Sequence, residues 1–120
     1  MSNYILDTCT VSDFFRGDRS TTSKLQSISP SRIFLSSITV MEILYGFDLN
    51  PAIKKKFSPA FESFRTITQT IAFDSKSAES AATLRAILKQ NGTPIGAWDL
   101  LIAATALTHD FVLVTSTFKR

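Results

Sequence analysis

Short apolar runs alternate with longer mixed segments along this chain. Tyr4-Ile5-Leu6 is the first run and stops at Asp7. Arg32-Ile33-Phe34-Leu35-Ser36 is the second, Ile67 to Phe73 holds a third, and Phe111-Val112-Leu113-Val114 is the fourth. Runs this short, rich in β-branched and aromatic residues, read as strands. The unbroken fourth run predicts a strand buried on both faces. Val11 to Arg16 reads as a short helix broken by Gly17, and Ser20-Thr21-Thr22-Ser23 offers caps for a helix to about Ile28, which Pro30 stops. Ile38 to Tyr45 is apolar on nearly every side, which predicts a buried helix ended by Gly46. Pro51 opens the next helix, with Lys54, Lys55 and Lys56 exposed, and Pro59 is expected to kink or split it before Phe61 to Arg65. Ser75 to Gln90 is a long helix with Ala78, Ala81, Ala82, Leu84 and Leu88 available for packing, closed by Asn91-Gly92. A loop, Thr93-Pro94-Ile95-Gly96, leads into an apolar helix from Trp98 to Thr108.

Strands that alternate with helices predict an α/β fold: a three-layer α/β/α sandwich around a central, mainly parallel sheet of four or so strands. The 120 residues suit one buried core. With no repeat, low-complexity tract or linker, the reading is a single domain over residues 1–120.

Composition narrows the class. Hydrophobic residues make up 44% and charged residues 19%, which excludes a disordered chain or a coiled coil. No apolar run approaches the roughly 20 residues of a membrane helix, and the N-terminus lacks the pattern of a secretory signal. The single cysteine, Cys9, cannot form an intrachain disulfide, so a reduced, cytoplasmic setting is expected. The net charge is +3. On composition alone this reads as ordinary solubility. If three of the ten acids were gathered into one pocket, thirteen basic residues would face the other seven, and such a surface would attract a polyanion.

Three acids sit in costly places. Asp7 follows Tyr4-Ile5-Leu6, Glu42 lies within Val40-Met41-Glu42-Ile43-Leu44, and Asp99 lies within Ala97-Trp98-Asp99-Leu100-Leu101-Ile102. A buried carboxylate is expensive without a partner, and none of the three has a basic residue within helical reach. Each also has an ordinary explanation. Asp7 would cap the helix after it, Thr39 and Glu42 fit a capping box, and Asp99 would complement a helix dipole. Together they carry more. In a parallel sheet the strand C-termini share one edge, where ligands bind. Asp7 ends the first strand, Glu42 is placed in the first turn after the second, and the Asp99 helix feeds the fourth. All three are therefore expected on one rim. Like charges gathered there repel unless a cation compensates. Oxygen ligands favour Mg²⁺ or Mn²⁺. There is no His/Cys cluster for zinc, and His109, the only histidine, reads as a helix C-terminal residue.

These motifs resemble PIN domains. Tyr4-Ile5-Leu6-Asp7-Thr8-Cys9 resembles the family's opening strand and metal-binding Asp. The segment from Ser36 to Gly46 resembles its second motif, with Glu42, and that from Gly92 to Ala104 its third, with Asp99. Phe111-Val112-Leu113-Val114-Thr115 resembles the last core strand and its following Thr. The match runs through the whole chain in family order. One departure follows Thr115, where the family usually carries an Asn or Asp, then an acid before a Phe, then a closing strand. Here Ser116-Thr117-Phe118-Lys119-Arg120 stands instead, so a fourth metal-site contributor is missing or replaced.

The resemblance implies a VapC-like toxin: a metal-dependent endoribonuclease whose products carry a 5′-phosphate and a 3′-hydroxyl. Asp7, Glu42 and Asp99 would be catalytic and would hold the Mg²⁺ (or Mn²⁺). Thr8, Thr115 and Ser116 would orient them. Lys54, Lys55, Lys56, Arg16, Arg19 and Arg32 are candidates for phosphate contacts. The implied partners are RNA, a VapB-like antitoxin and a second copy of the chain, and apolar segments around Phe57, Phe61 and Phe64 serve such contacts or the core. Two other readings compete. One is a silent PIN-like protein that acts by binding its partner. The other is a phospho-receiver, with Asp74 as acceptor, which would want paired acids after the first strand and a Lys after the last.

Overall fold

The computed structural model describes residues 2–115. Four strands form one parallel sheet: β1 (Tyr4–Leu6), β2 (Ile33–Ser36), β3 (Gln69–Ile71) and β4 (Val112–Val114), in the order β3-β2-β1-β4. Tyr4 pairs with Ile33 and with Val112, and Leu6 with Leu35 and Val114, so β1 lies between two partners. Phe34 pairs with Gln69. Among the described residues six α-helices and a 3-10 turn (Pro30–Arg32) complete the fold: α1 (Thr8–Phe15), α2 (Arg19–Gln26), α3 (Ser37–Leu49), α4 (Pro51–Ile67), α5 (Ser75–Gln90) and α6 (Ala97–His109).

The alternation of side chains along each strand divides the core. Leu6, Ile33, Leu35 and Val114 face one side and bury Val11, Leu25, Val40, Phe47, Phe61 and Phe64 from α1 to α4. Ile5 and Phe34 face the other side, against Ala106 of α6, with Ile71, Phe111 and Leu113 packed around them. There α5 packs along α6. The result is the expected α/β/α sandwich.

Four local expectations are corrected. Gly46 does not end α3: the helix runs on to Leu49, and Asn50 closes it. The Asn50 side chain then accepts from the Ile53 N–H at 3.2 Å, and Pro51 opens α4 in the position where a missing N–H costs least. Pro59 does not split α4, which continues to Ile67. It replaces one N–H of the helix at an exposed position, and Lys55, whose carbonyl loses that donor, is exposed too. Because α4 runs that far, β3 shrinks to Gln69–Ile71, and its first two residues are exposed. Finally, β4 is not buried on both faces. Val112 is 45% exposed, since among the described residues β4 has only β1 as neighbour.

Candidate active site

Asp7 leaves β1 with extended backbone and caps α1: its Oδ1 accepts from the Thr10 N–H at 2.8 Å. Its Oδ2 accepts from the Thr115 hydroxyl at 2.5 Å. The residue is only 5% exposed. The ordinary explanation as a cap and the expected place at a strand end thus both hold for this residue. Around it the strand ends are sewn together. The Asp7 N–H and the Thr10 hydroxyl both donate to the Val114 carbonyl, at 3.1 and 3.0 Å. The Thr39 hydroxyl donates to the Leu6 carbonyl at 3.4 Å.

Glu42 departs from the expectation in detail. The cap of α3 is Ser36, which accepts from the Ile38 N–H at 3.0 Å, so Glu42 lies in the second turn and not the first. The capping box with Thr39 does not form, because Thr39 is inside the helix and turned to β1. Glu42 is half-buried, and its Oε1 accepts from the Thr8 hydroxyl at 2.5 Å. Thr8 therefore orients Glu42 rather than its neighbour Asp7.

Asp99 stands in the first turn of α6, as expected, and is exposed. Gly96 precedes that helix, and a Cβ there would lie 3.3 Å from Asp99 Oδ2. Asp7, Asp99 and Thr115 line one cavity of about 90 Å³, floored by Ile102, Leu113 and Ile95. Glu42 does not line it. All three acids nevertheless act on the thiol of Cys9. Partial burial raises its pKa first, and the negative charges of Asp7, Asp99, Asp13 and Glu42 raise it further. Among the described residues, no three His, Cys, Asp or Glu side chains stand close enough to enclose a metal ion. The structure thus brings Asp7 and Asp99 to one cavity and ties Glu42 to Thr8, the residue after Asp7, without closing the three into a cluster. Among the described residues neither Glu42 nor Asp99 forms an ion pair.

Other expectations resolve variously. Ser116 lies outside the described residues, as does the departure over residues 116–120. His109 ends α6, stacked on Phe111 at 5.4 Å. Asp74 is the cap of α5, accepting from the Ser77 N–H at 2.9 Å, which holds its carboxyl below the usual range. Phe61 and Phe64 are core, while Phe57 is half-buried. Of the cations proposed for phosphate, Arg16 pairs with Asp13 at 3.0 Å and Lys54 reaches Asp48 at 4.0 Å. Lys56 lies over the Phe57 ring, while Lys55 and Arg19 are exposed. Arg32 stacks over Tyr4 and donates to the Ser2 carbonyl, at the N-terminal edge of the sheet and away from the acids.

An α/β domain with carboxylates at the C-terminal edge of a parallel sheet is the class that fold and site define. A PIN domain family model matches residues 4–117, and the chain belongs to the PIN-domain family. It is similar to the tRNA(fMet)-specific endonuclease VapC of Salmonella typhimurium, 29% identical over 119 residues that span 99% of this chain and 89% of the relative. A VapC ribonuclease of Sinorhizobium fredii is 31% identical over 118 residues, 92% of this chain and 84% of the relative. The fold superimposes on a chain of the DNA-bound VapBC complex from Salmonella typhimurium with a TM-score of 0.87. That pair is 28% identical and the match covers 99% of this chain and 89% of the other. Among the described residues no helix is long and apolar enough to cross a membrane.

Proposed function

We propose that this protein is a VapC-like endoribonuclease toxin, dependent on Mg²⁺ or Mn²⁺, that hydrolyses RNA phosphodiester bonds and is neutralised by a VapB-like antitoxin. The observation that carries the reading is the cavity shared by Asp7 and Asp99 at the strand C-termini, with Glu42 tethered beside it through Thr8. The relatives named as ribonucleases and the neighbour solved as a toxin–antitoxin complex support it.

The chemistry of the donors suits a hard divalent ion, which Asp7, Glu42 and Asp99 would have to draw closer together to enclose. Asp7, Glu42 and Asp99 offer carboxylate oxygens only, the chemistry that Mg²⁺ and Mn²⁺ select. When bound, the ion supplies positive charge that offsets the attacked phosphate and eases loss of a proton from water. The chain's own groups do the positioning. Thr10 and Thr115 fix both oxygens of Asp7, and Thr8 fixes one of Glu42. Asp99, exposed at the lip, is free to meet substrate. In the reaction a water oxygen bonds to phosphorus while the bond from phosphorus to the 3′ oxygen breaks. The water's proton ends on that oxygen, leaving a 5′-phosphate and a 3′-hydroxyl. The antitoxin finds an apolar cleft of about 280 Å³ lined by Phe15, Ile43, Phe47, Ile53 and Phe57. A second copy of the chain finds exposed Met41, Leu44, Tyr45 and Leu49 along α3.

The test is cleavage of structured RNA by the purified protein with Mg²⁺ or with chelator, beside Asp99→Asn. Metal-dependent cutting that falls by about 10²-fold or more in the variant, at unchanged stability, is expected. Tight binding to a small partner with no cutting under any metal would instead make this a silent PIN-like protein.

A further inference from the structure

Beside the acid cavity, α5 and α6 enclose a larger hollow of about 570 Å³. Leu88, Leu100 and Leu101 give it an apolar floor, and Ile95 stands in the wall of both hollows. Helix α6 turns Asp99 and Ile102 to the acid cavity and Leu100 and Leu101 to this one, so the two meet over its first turn, at Ile95. Arg85 and Lys89 line the hollow from α5. Four residues apart, they share one helix face and lie about 6 Å apart along the axis. Both are exposed, and among the described residues neither forms an ion pair, unlike Arg16, Lys54 and Arg65. The cations singled out from sequence, Lys54 to Lys56, Arg16, Arg19 and Arg32, line neither this hollow nor the acid cavity.

We propose that this hollow is the track for the single-stranded RNA that flanks the scissile bond, with Arg85 and Lys89 as positioning residues that hold its phosphates. The inference rests on the ribonuclease reading above. The charge is complementary to a polyanion, and the planar guanidinium of Arg85 suits a phosphate's paired oxygens. The leucine floor offers an apolar seat for a base or ribose face. Continuity through Ile95 leads the strand from this seat to the carboxylates.

The experiment compares the wild type with the double variant Arg85→Ala/Lys89→Ala and with a control of equal charge loss, Lys24→Ala/Lys76→Ala. A fluorescent single-stranded RNA is titrated in chelator over a salt series, and its cleavage is followed with Mg²⁺. Two lost phosphate contacts lower the slope of log affinity against log salt by about 1.4. KM rises about tenfold while kcat holds, and the control matches wild type. An Arg85/Lys89 variant with the wild-type slope overturns the track, as does one that changes only the oligomeric state or antitoxin binding. Wild-type protein that binds RNA through these two residues without cutting it keeps the track and removes the ribonuclease reading. Wild-type protein that neither binds RNA in chelator nor cuts it with Mg²⁺ removes both.

Discussion

Asp7 carries two loads that substitution separates. Its Oδ1 caps α1 at Thr10, its Oδ2 takes the Thr115 hydroxyl, and its charge belongs to the proposed metal site. Asp7→Ala removes everything. The lost cap costs about 1–2 kcal/mol, and the Thr115 hydroxyl, half-buried, loses its acceptor at about 1 kcal/mol more. Relief of repulsion from Asp99 and Glu42 returns part of this, leaving a net loss of about 2 kcal/mol. For 120 residues each kcal/mol moves Tm by about 4 °C, so Asp7→Ala melts about 8 °C lower. Asp7→Asn keeps a partner for both Thr10 and Thr115. Asparagine is an equally good N-cap: its oxygen accepts from Thr10, and its NH₂ donates to the Thr115 oxygen. It loses just the charge, so its Tm equals or exceeds that of the wild type, while metal-dependent cleavage falls by about 10²-fold or more. Urea and thermal melts with an unchanged m-value, run beside a cleavage assay, read both quantities. An Asn variant that melts as low as the Ala variant refutes the capping argument. One that still cuts RNA refutes the role of the charge.

Thr8→Val removes the donor that fixes Glu42, and stability should move by no more than about 1 kcal/mol because Thr8 is half-buried. Cleavage should fall well beyond what that loss explains, and a rate equal to wild type refutes the tether. Asp74→Ala should lower Tm at neutral pH. The folded carboxyl titrates below its usual value of 3.8, held down by the Ser77 N–H. The stabilisation is therefore complete above that value and is lost as pH falls through the lowered folded pKa. Melts of the two proteins should converge in strong acid, and a gap that persists there contradicts this. Exposed Cys9 reports on the acid field: Asp99→Asn should speed its alkylation by iodoacetamide at pH 8, since removing a negative charge lowers the thiol pKa. An unchanged rate places Asp99 too far from Cys9 to matter.

The sheet was legible because its strands are short apolar runs closed by Asp7, Ser36 and Thr115, and alternation is what a parallel sandwich requires. The misread boundaries share a cause: local breakers yielded to tertiary packing. Gly46 sits in α3 because Phe47, one residue on, is core, and Pro59 sits in α4 because Phe61 and Phe64 anchor the turns after it. At the site, Asp7 and Asp99 could be placed from topology alone. Glu42 could not be placed to the turn, since the choice of Ser36 over later residues as cap depends on where β2 ends. Arg85 and Lys89 gave no signal beyond an i,i+4 pair on a helix, the commonest arrangement of solvated charge. Only the packing of α5 on α6 shows that they face a hollow beside the acids.

The way the carboxylates are held has a chemical consequence. Thr8, Thr10 and Thr115 are neutral donors: two hydroxyls and a backbone amide. Each fixes the direction of an oxygen lone pair without cancelling the negative charge, as a lysine or arginine at the same distance would. A lysine there would stabilise the apo fold more, and it would also compete with any cation that arrives. Threonine gives up that stability and keeps the charge available. Thr10 and Thr115 also bind β1, α1 and β4 together through the Val114 carbonyl and the Asp7 carboxylate. Site geometry and fold closure therefore depend on one set of hydrogen bonds, and a change that loosens the strand ends should cost function before it costs the fold.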